Sequence, residues 1–189
     1  MINIFLAPHS DDEALFGSYI IQRTKPLIVV CTDGTGHEKR FGIPTQRRRD
    51  ESIAAAKIFG VEVKFLGIAE EDLTVDILLE KLIEARIQLN SNNCIFAPTK
   101  TGGQPQHDIV SDTVKKIGES SNYDIGFPLY YGTYTRENFS PTGEMAIIPT
   151  EEEKRIKEEA LTCFTSQHGI NKPHFDAVKD VPEYLSFKQ

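Results

Sequence analysis

Cysteine is scarce in this chain and never closely paired. The 189 residues hold three, Cys31, Cys94 and Cys163, with no Cys-x-x-Cys spacing. An odd number of widely separated thiols excludes a disulfide-built secreted scaffold and matches buried thiols in a reducing compartment. Long apolar runs are missing too. None reaches the roughly 20 residues that a membrane helix requires, so no stable membrane insertion is expected. The stretch Met1 to Ala7 has no basic segment and is too short for a signal peptide, which makes a cytoplasmic location the expectation. Positive charge is not in excess: 21 Lys and Arg stand against 28 Asp and Glu, a net charge of −7. That balance argues against a dedicated nucleic-acid binder. Repeats, long linkers and low-complexity segments are also absent.

What remains has the composition of an ordinary folded protein, with 39% hydrophobic and 26% charged residues. The length fits one domain over residues 1–189. Apolar, β-branched runs at 2–7, Leu27–Thr32, Val61–Leu66 and Cys94–Ala97 read as strands. Helices are expected over Asp12–Arg23, Thr45–Phe59 with Thr45 as cap and Gly60 as stop, Asp72–Leu89, and His107 to about Ile117. Asp124–Tyr131 and Glu144–Ile148 look like further strands. Thr150 followed by Glu151-Glu152-Glu153 starts a last helix, running to about Thr165, with Glu153 at the capping-box position. The alternation predicts an α/β fold: a single Rossmann-like domain with a mostly parallel sheet and helices on both faces. Ligands of such sheets sit beyond the C-terminal ends of the strands. Three loops end there: 8–12, 32–44 and 98–107.

The first of these reads Pro8-His9-Ser10-Asp11-Asp12-Glu13. His9 and Asp12 are three apart, and a turn entering a helix brings such side chains together. Imidazole and carboxylate are ligands of catalytic zinc, and a neighbouring carboxylate, Asp11, is placed to take a proton from water. The same acids suit the first turn of any helix, so this loop alone leaves both readings open. Among the five histidines, His107 follows the fourth strand and shares an edge with His9. His37 is a weaker candidate in the second loop, and His168 and His174 read as structural. A nucleotide-binding reading fares poorly. No glycine-rich fingerprint follows the first strand, and a phosphate there would meet two acids.

These residues resemble the LmbE-like (PIG-L) family of zinc-dependent N-deacetylases. Pro8 to Glu13 is similar to its HPDDE motif, and Thr32-Asp33-Gly34 to its TDG. Arg48 to Glu51, with Ala54-Ala55-Ala56 and Phe59-Gly60, resembles its R-x-x-E…AA…LG helix. Phe65-Leu66-Gly67 and Lys157…Ala160-Leu161…Ser166-Gln167 continue the match in order, over about residues 2–168. The resemblance implies one Zn2+ per chain, with other divalent ions also suited to the set. It implies His9, Asp12 and His107 as ligands and Asp11 as general base. Arg48 and Asp33 would bind substrate. The expected activity is hydrolysis of the N-acetyl group of a small N-acetylated amino sugar or its conjugate.

The chain departs from the family pattern in its second motif, HxDH. Gln104-Pro105-Gln106-His107 stands there. Gln104 occupies the position of the first histidine, which stabilises an oxyanion or protonates the leaving group. An amide can do the first and not the second. His37 and Asp108 are the nearest replacements by sequence. Gln106 removes a carboxylate, and Ser10 replaces a proline. A metal-binding member with altered or lost deacetylase activity is the alternative. Tyr130, Tyr131 and Tyr134 suit either sugar binding or core packing. No heptad seam exists, so a homo-oligomer is neither indicated nor excluded.

Overall fold

A computed structural model describes residues 3–87, 93–119, 128–133 and 143–187. Among these residues seven strands form one sheet: β1 (Ile4–Ala7), β2 (Leu27–Thr32), β3 (Val63–Ile68), β4 (Ile95–Pro98), β5 (Pro128–Tyr131), β6 (Met145–Ile147) and β7 (Glu183–Ser186). Their order is β3-β2-β1-β4-β5-β7-β6. The first five are parallel, β7 runs antiparallel to β5, and β6 antiparallel to β7. The expected α/β architecture is therefore present, with an antiparallel pair added at one edge.

The helices are α1 (Asp12–Leu15), α2 (Ser18–Thr24), α3 (Thr35–Phe41), α4 (Thr45–Phe59), α5 (Val75–Glu84), α6 (Pro105–Glu119), α7 (Glu151–Thr162) and α8 (Thr165–Ala177). They cover both faces, because every residue of β1 is buried and alternate residues serve opposite layers. Phe5, Ala7, Ile28, Val30 and Phe96 pack with α1, α2, α4, α7 and α8. Ile4, Leu6, Val29, Cys31 and Ile95 pack with α5 and α6. Cys31 is a buried thiol as expected, whereas Cys94 and Cys163 are only half-buried. No helix among the described residues is long and apolar enough to cross a membrane.

Several boundaries differ from the sequence expectation. The single helix expected from Asp12 to Arg23 is two, parted at Phe16 and Gly17. The reason is a close approach: a Cβ on Gly17 would collide with the Phe5 ring, so the chain passes there only as glycine. The segment 32–44, expected as loop, contains α3. Thr45 is the first helical residue of α4 rather than its cap, which is Pro44. The final helix stops at Thr162 and a second, α8, follows. At Thr150 the capping box is complete, its side chain and that of Glu153 each accepting the other's backbone N–H. Asp124–Phe127, expected as strand, and Gln88–Leu89, expected as helix, lie outside the described residues, as does Tyr134.

Candidate metal centre and active site

The strand order reverses between β1 and β4, and the loops leaving both strands meet at that switch point. From β1 the chain turns through Pro8–Asp11 into α1. From β4 it passes residues 99–104 into α6, which carries His107 in its first turn. The geometry brings His9, Asp12 and His107 together, each offering one ligand atom, all within 4.8 Å of one another. Asp12 lies between the two imidazoles. Its Oδ2 is 3.4 Å from His9 Nδ1 and its Oδ1 is 3.3 Å from His107 Nε2. The backbone N–H of His9 donates to Asp12 Oδ2 at 2.7 Å, which closes the turn between them.

The electrostatics suit a cation. Burial lowers the pKa of His9, favouring the neutral, ligating imidazole. Burial alone would raise Asp12, but the adjoining His107 and His9 outweigh it and hold the carboxylate below its ordinary range. A ligand carboxylate is thus ionised at neutral pH. His107 is 1% exposed, and its Nδ1 is buried with no hydrogen-bond partner among the described residues. No described carboxylate holds that imidazole from outside, as the glutamine at 106 led us to expect.

Asp11 stands beside this cluster in an uncommon backbone state, φ 129° and ψ −26°. Its N–H donates to Glu13 Oε2 at 2.9 Å, and Glu13 Oε1 accepts from Ser52 Oγ at 2.5 Å. Glu13 is completely buried, and burial pushes its carboxyl up to about 6. Burial also drives the Asp11 carboxyl well above the usual range, against the pull of Arg48, whose Nη2 is 3.3 Å from Asp11 Oδ2. A raised carboxyl pKa makes a better proton acceptor when ionised.

Arg48, from α4, is buried at the cavity wall. Its Nη2 donates to the carbonyl of Ser10, and its Nη1 donates to His37 Nδ1 at 3.0 Å. Glu70 Oε1 lies 3.8 Å from the same His37 nitrogen, and this contact depresses the Glu70 carboxyl. Arg48 therefore braces the first loop from behind as well as facing the cavity. Glu51, one turn on, accepts from Ser166 N at 2.8 Å, Ser166 Oγ at 2.6 Å and Thr165 Oγ1 at 3.1 Å. That carboxylate anchors the start of α8.

A cavity of about 260 Å³ opens on the cluster. Asp11, Arg48, Gln104 and His37 line it with the three candidate ligands. Gln104 Oε1 is buried without a hydrogen-bond partner among the described residues. Asp33 is not part of the wall; its Oδ1 accepts from Thr35 N and Oγ1 at 2.9 and 2.8 Å, at the start of α3. Asp108 faces the loop instead, accepting from Thr101 N and Gly102 N at 2.8 and 3.2 Å. Tyr130 and Tyr131 are core: Tyr131 stacks on Phe5 at 4.6 Å and donates to Leu6 O at 2.8 Å. Two residues of α8 also line the cavity. Asn171 was not singled out by sequence, and His174 was expected to be structural. The kink within α8, out of reach of local pattern, carries both to the wall. His168, by contrast, is structural as expected, its Nε2 lying 3.1 Å from Leu161 O.

A parallel sheet with a His–Asp–His cluster at its switch point defines the class. The PIG-L family model, described as GlcNAc-PI de-N-acetylase, matches residues 4–117, and the chain belongs to that family. Solved structures share the fold at low identity. The conserved protein TT1542 of Thermus thermophilus is 20% identical, with a TM-score of 0.76 over 98% of this chain and 94% of its own. GalB, the 4-carboxy-2-hydroxymuconate hydratase of Pseudomonas putida KT2440, is 14% identical, with a TM-score of 0.72 over 98% and 95%. A triple mutant of the deacetylase Orf2, involved in the teicoplanin biosynthetic pathway, is 14% identical, with a TM-score of 0.71 over 98% and 96%. No curated protein matches.

Proposed function

We propose that this protein is a metal-dependent hydrolase that removes the N-acetyl group of a small N-acetylated amino sugar. The observation that carries this reading is the convergence of His9, Asp12 and His107 beside Asp11. Two imidazoles and a carboxylate fit a catalytic zinc site, which keeps a further position open. A divalent ion bound there polarises an amide carbonyl and brings the pKa of a coordinated water to about 7.

The chain's own groups supply the rest. Asp11 accepts the proton of the attacking water, with its carboxylate aimed by Arg48 and by the hydrogen bond from its own N–H to Glu13. Gln104 offers an amide donor to the developing oxyanion, and its unpartnered Oε1 suits a substrate N–H or hydroxyl. A cavity of about 260 Å³ accommodates one sugar ring with its acetamide, leaving any larger aglycone outside. Family membership supports the same chemistry.

A second reading has its own support. Gln104 lacks the proton-donating imidazole of the family motif, and one protein of this fold is a hydratase. Under that reading the chain binds metal but does not deacetylate. The deciding experiment measures acetate released from N-acetylglucosamine and its simple glycosides by zinc-reconstituted protein. Turnover supports the hydrolase; none at all, with metal bound, supports the second reading.

A further inference from the structure

We infer that His174 is the proton donor to the departing amine, in place of the imidazole missing at Gln104; this rests on the deacetylase reading above. Hydrolysis of an alkyl amide needs such a donor. When the C–N bond of the tetrahedral adduct breaks, nitrogen leaves with the electron pair and must be protonated, since an unprotonated amide anion is a very poor leaving group. Gln104 faces the cavity but has no proton to give at neutral pH.

Other groups on the wall have work of their own. Asp11 takes the water proton; if it alone also returned that proton to nitrogen, the amide-to-ester ratio would not depend on residue 174. A guanidinium does not give up its proton in a protein, which removes Arg48. Asp108, one of the two replacements closest in sequence, faces away and holds the loop. His37 lines the cavity, but its Nδ1 accepts from the Arg48 guanidinium and lies beside Glu70, in a network that serves the first loop.

His174 reaches the cavity from a different element, α8. The helix departs from helical geometry at Asn171, φ −125° and ψ 27°, and carries Pro173 within it. That break redirects the last turns, and both Asn171 and His174 reach the wall. Phe16 stands edge-on to two imidazoles at once: His107 at 6.1 Å and 83°, and His174 at 6.3 Å and 84° between ring centroids and planes. One phenyl ring thus spaces His174 from a candidate ligand and keeps it out of the cluster. Glu51, through Ser166 and Thr165, fixes the start of the helix that delivers it.

The proton balance closes. Water gives one proton to Asp11 as its oxygen bonds to the carbonyl carbon. The His174 imidazolium gives one to nitrogen as the C–N bond breaks. The adduct collapses to acetic acid and amine, the acid gives its remaining proton to the amine or solvent and leaves as acetate, Asp11 returns its proton to solvent, and His174 takes one up.

The test separates bond types by their need for an acid. Turnover of an N-acetylated amino sugar and of 4-nitrophenyl acetate, whose leaving group needs no proton, is measured for zinc-reconstituted wild type, His174→Gln, and His174→Gln combined with Gln104→His. The ratio of amide to ester turnover should fall by about 100-fold or more in His174→Gln and recover in the double variant. Metal content should match wild type. The imidazole NMR signals of His174, assigned by their loss in the variant, should shift when glucosamine is titrated into the protein. An unchanged ratio, or equal loss on both substrates, overturns the assignment. A wild-type chain that cleaves the ester but never the amide instead overturns the deacetylase reading.

Discussion

The carboxylate of Glu13 accepts the backbone N–H of Asp11 at 2.9 Å, and so holds Asp11 at a φ of 129°. Such a conformation costs on the order of 1–3 kcal/mol for a residue with a Cβ and persists only where its surroundings impose it. Here the buried Glu13, steadied by Ser52, imposes it. Glu13→Ala should therefore leave metal content intact while lowering kcat by about 100-fold, the scale of a misplacement near 1 Å. It should also cost about 1–3 kcal/mol in stability, because Ser52 Oγ and the Asp11 N–H lose their acceptor. Parallel metal analysis, kinetics and urea unfolding test this; unchanged kcat would remove Glu13 from the positioning of Asp11.

Asp11→Asn separates function from stability. Turnover should fall by about 10²–10⁴-fold with loss of the proton acceptor. Stability at neutral pH should not fall, and we expect a gain of about 1 kcal/mol in metal-free protein, since the amide carries no buried charge. The sign follows from Asp11's raised folded-state pKa: its ionisation opposes folding as pH rises above the unfolded value. Thermal melts at neutral pH check it. A large destabilisation would mean that the ion pair with Arg48 is needed for the fold.

The buried pair Lys157–Glu183 ties α7 to β7. Nζ and Oε1 are 3.0 Å apart, Glu183 Oε2 accepts the Tyr19 and Ile20 N–H groups at 2.9 and 3.1 Å, and Lys157 lies 4.4 Å over the Tyr19 ring. Burial nevertheless raises the Glu183 carboxyl. Lys157→Met should cost about 3–5 kcal/mol by leaving that carboxylate unpaired. Adding Glu183→Gln should recover part of the loss. Denaturant midpoints of the two variants decide it; an unaffected Lys157→Met chain would show the pair to be dispensable.

Acid unfolding should carry a contribution from Arg23–Glu153. The N–H donors of Arg23 hold the Glu153 carboxyl down at about 2, against an ordinary 4.5. A depressed folded-state pKa stabilises above the unfolded value, so this contribution is full above about 4.5 and lost as pH falls towards 2. The pair is largely solvent-accessible, so no more than about 1 kcal/mol is expected. In Arg23→Ala the stability difference from wild type should shrink across that window; a constant difference would contradict it.

The parallel sheet was legible because four of its strands are short β-branched or apolar runs separated by helix-length segments. Spacing made His9 and Asp12 candidates and the place after a strand made His107 one, but it was the resemblance of their motifs to a family that joined the three into one set. What escaped lay beyond local pattern. The split at Gly17 depends on Phe5 across the layer, and the fate of Tyr130 and Tyr131 on which face of β5 each occupies. His174 escaped because Pro173 and Asn171 interrupt the periodicity that would mark a helix, and no motif surrounds it. Under the proposed deacetylase activity its signal is indirect: a chain with Gln104 in place of a proton-donating imidazole takes that proton from elsewhere.

The most direct test of the account is zinc titration of chelator-stripped protein by calorimetry, alongside His9→Ala, Asp12→Ala and His107→Ala. The account predicts one ion per wild-type chain and marked loss of affinity in each variant, with folds intact by circular dichroism. No zinc bound by the wild type, or undiminished binding in the variants, would contradict it.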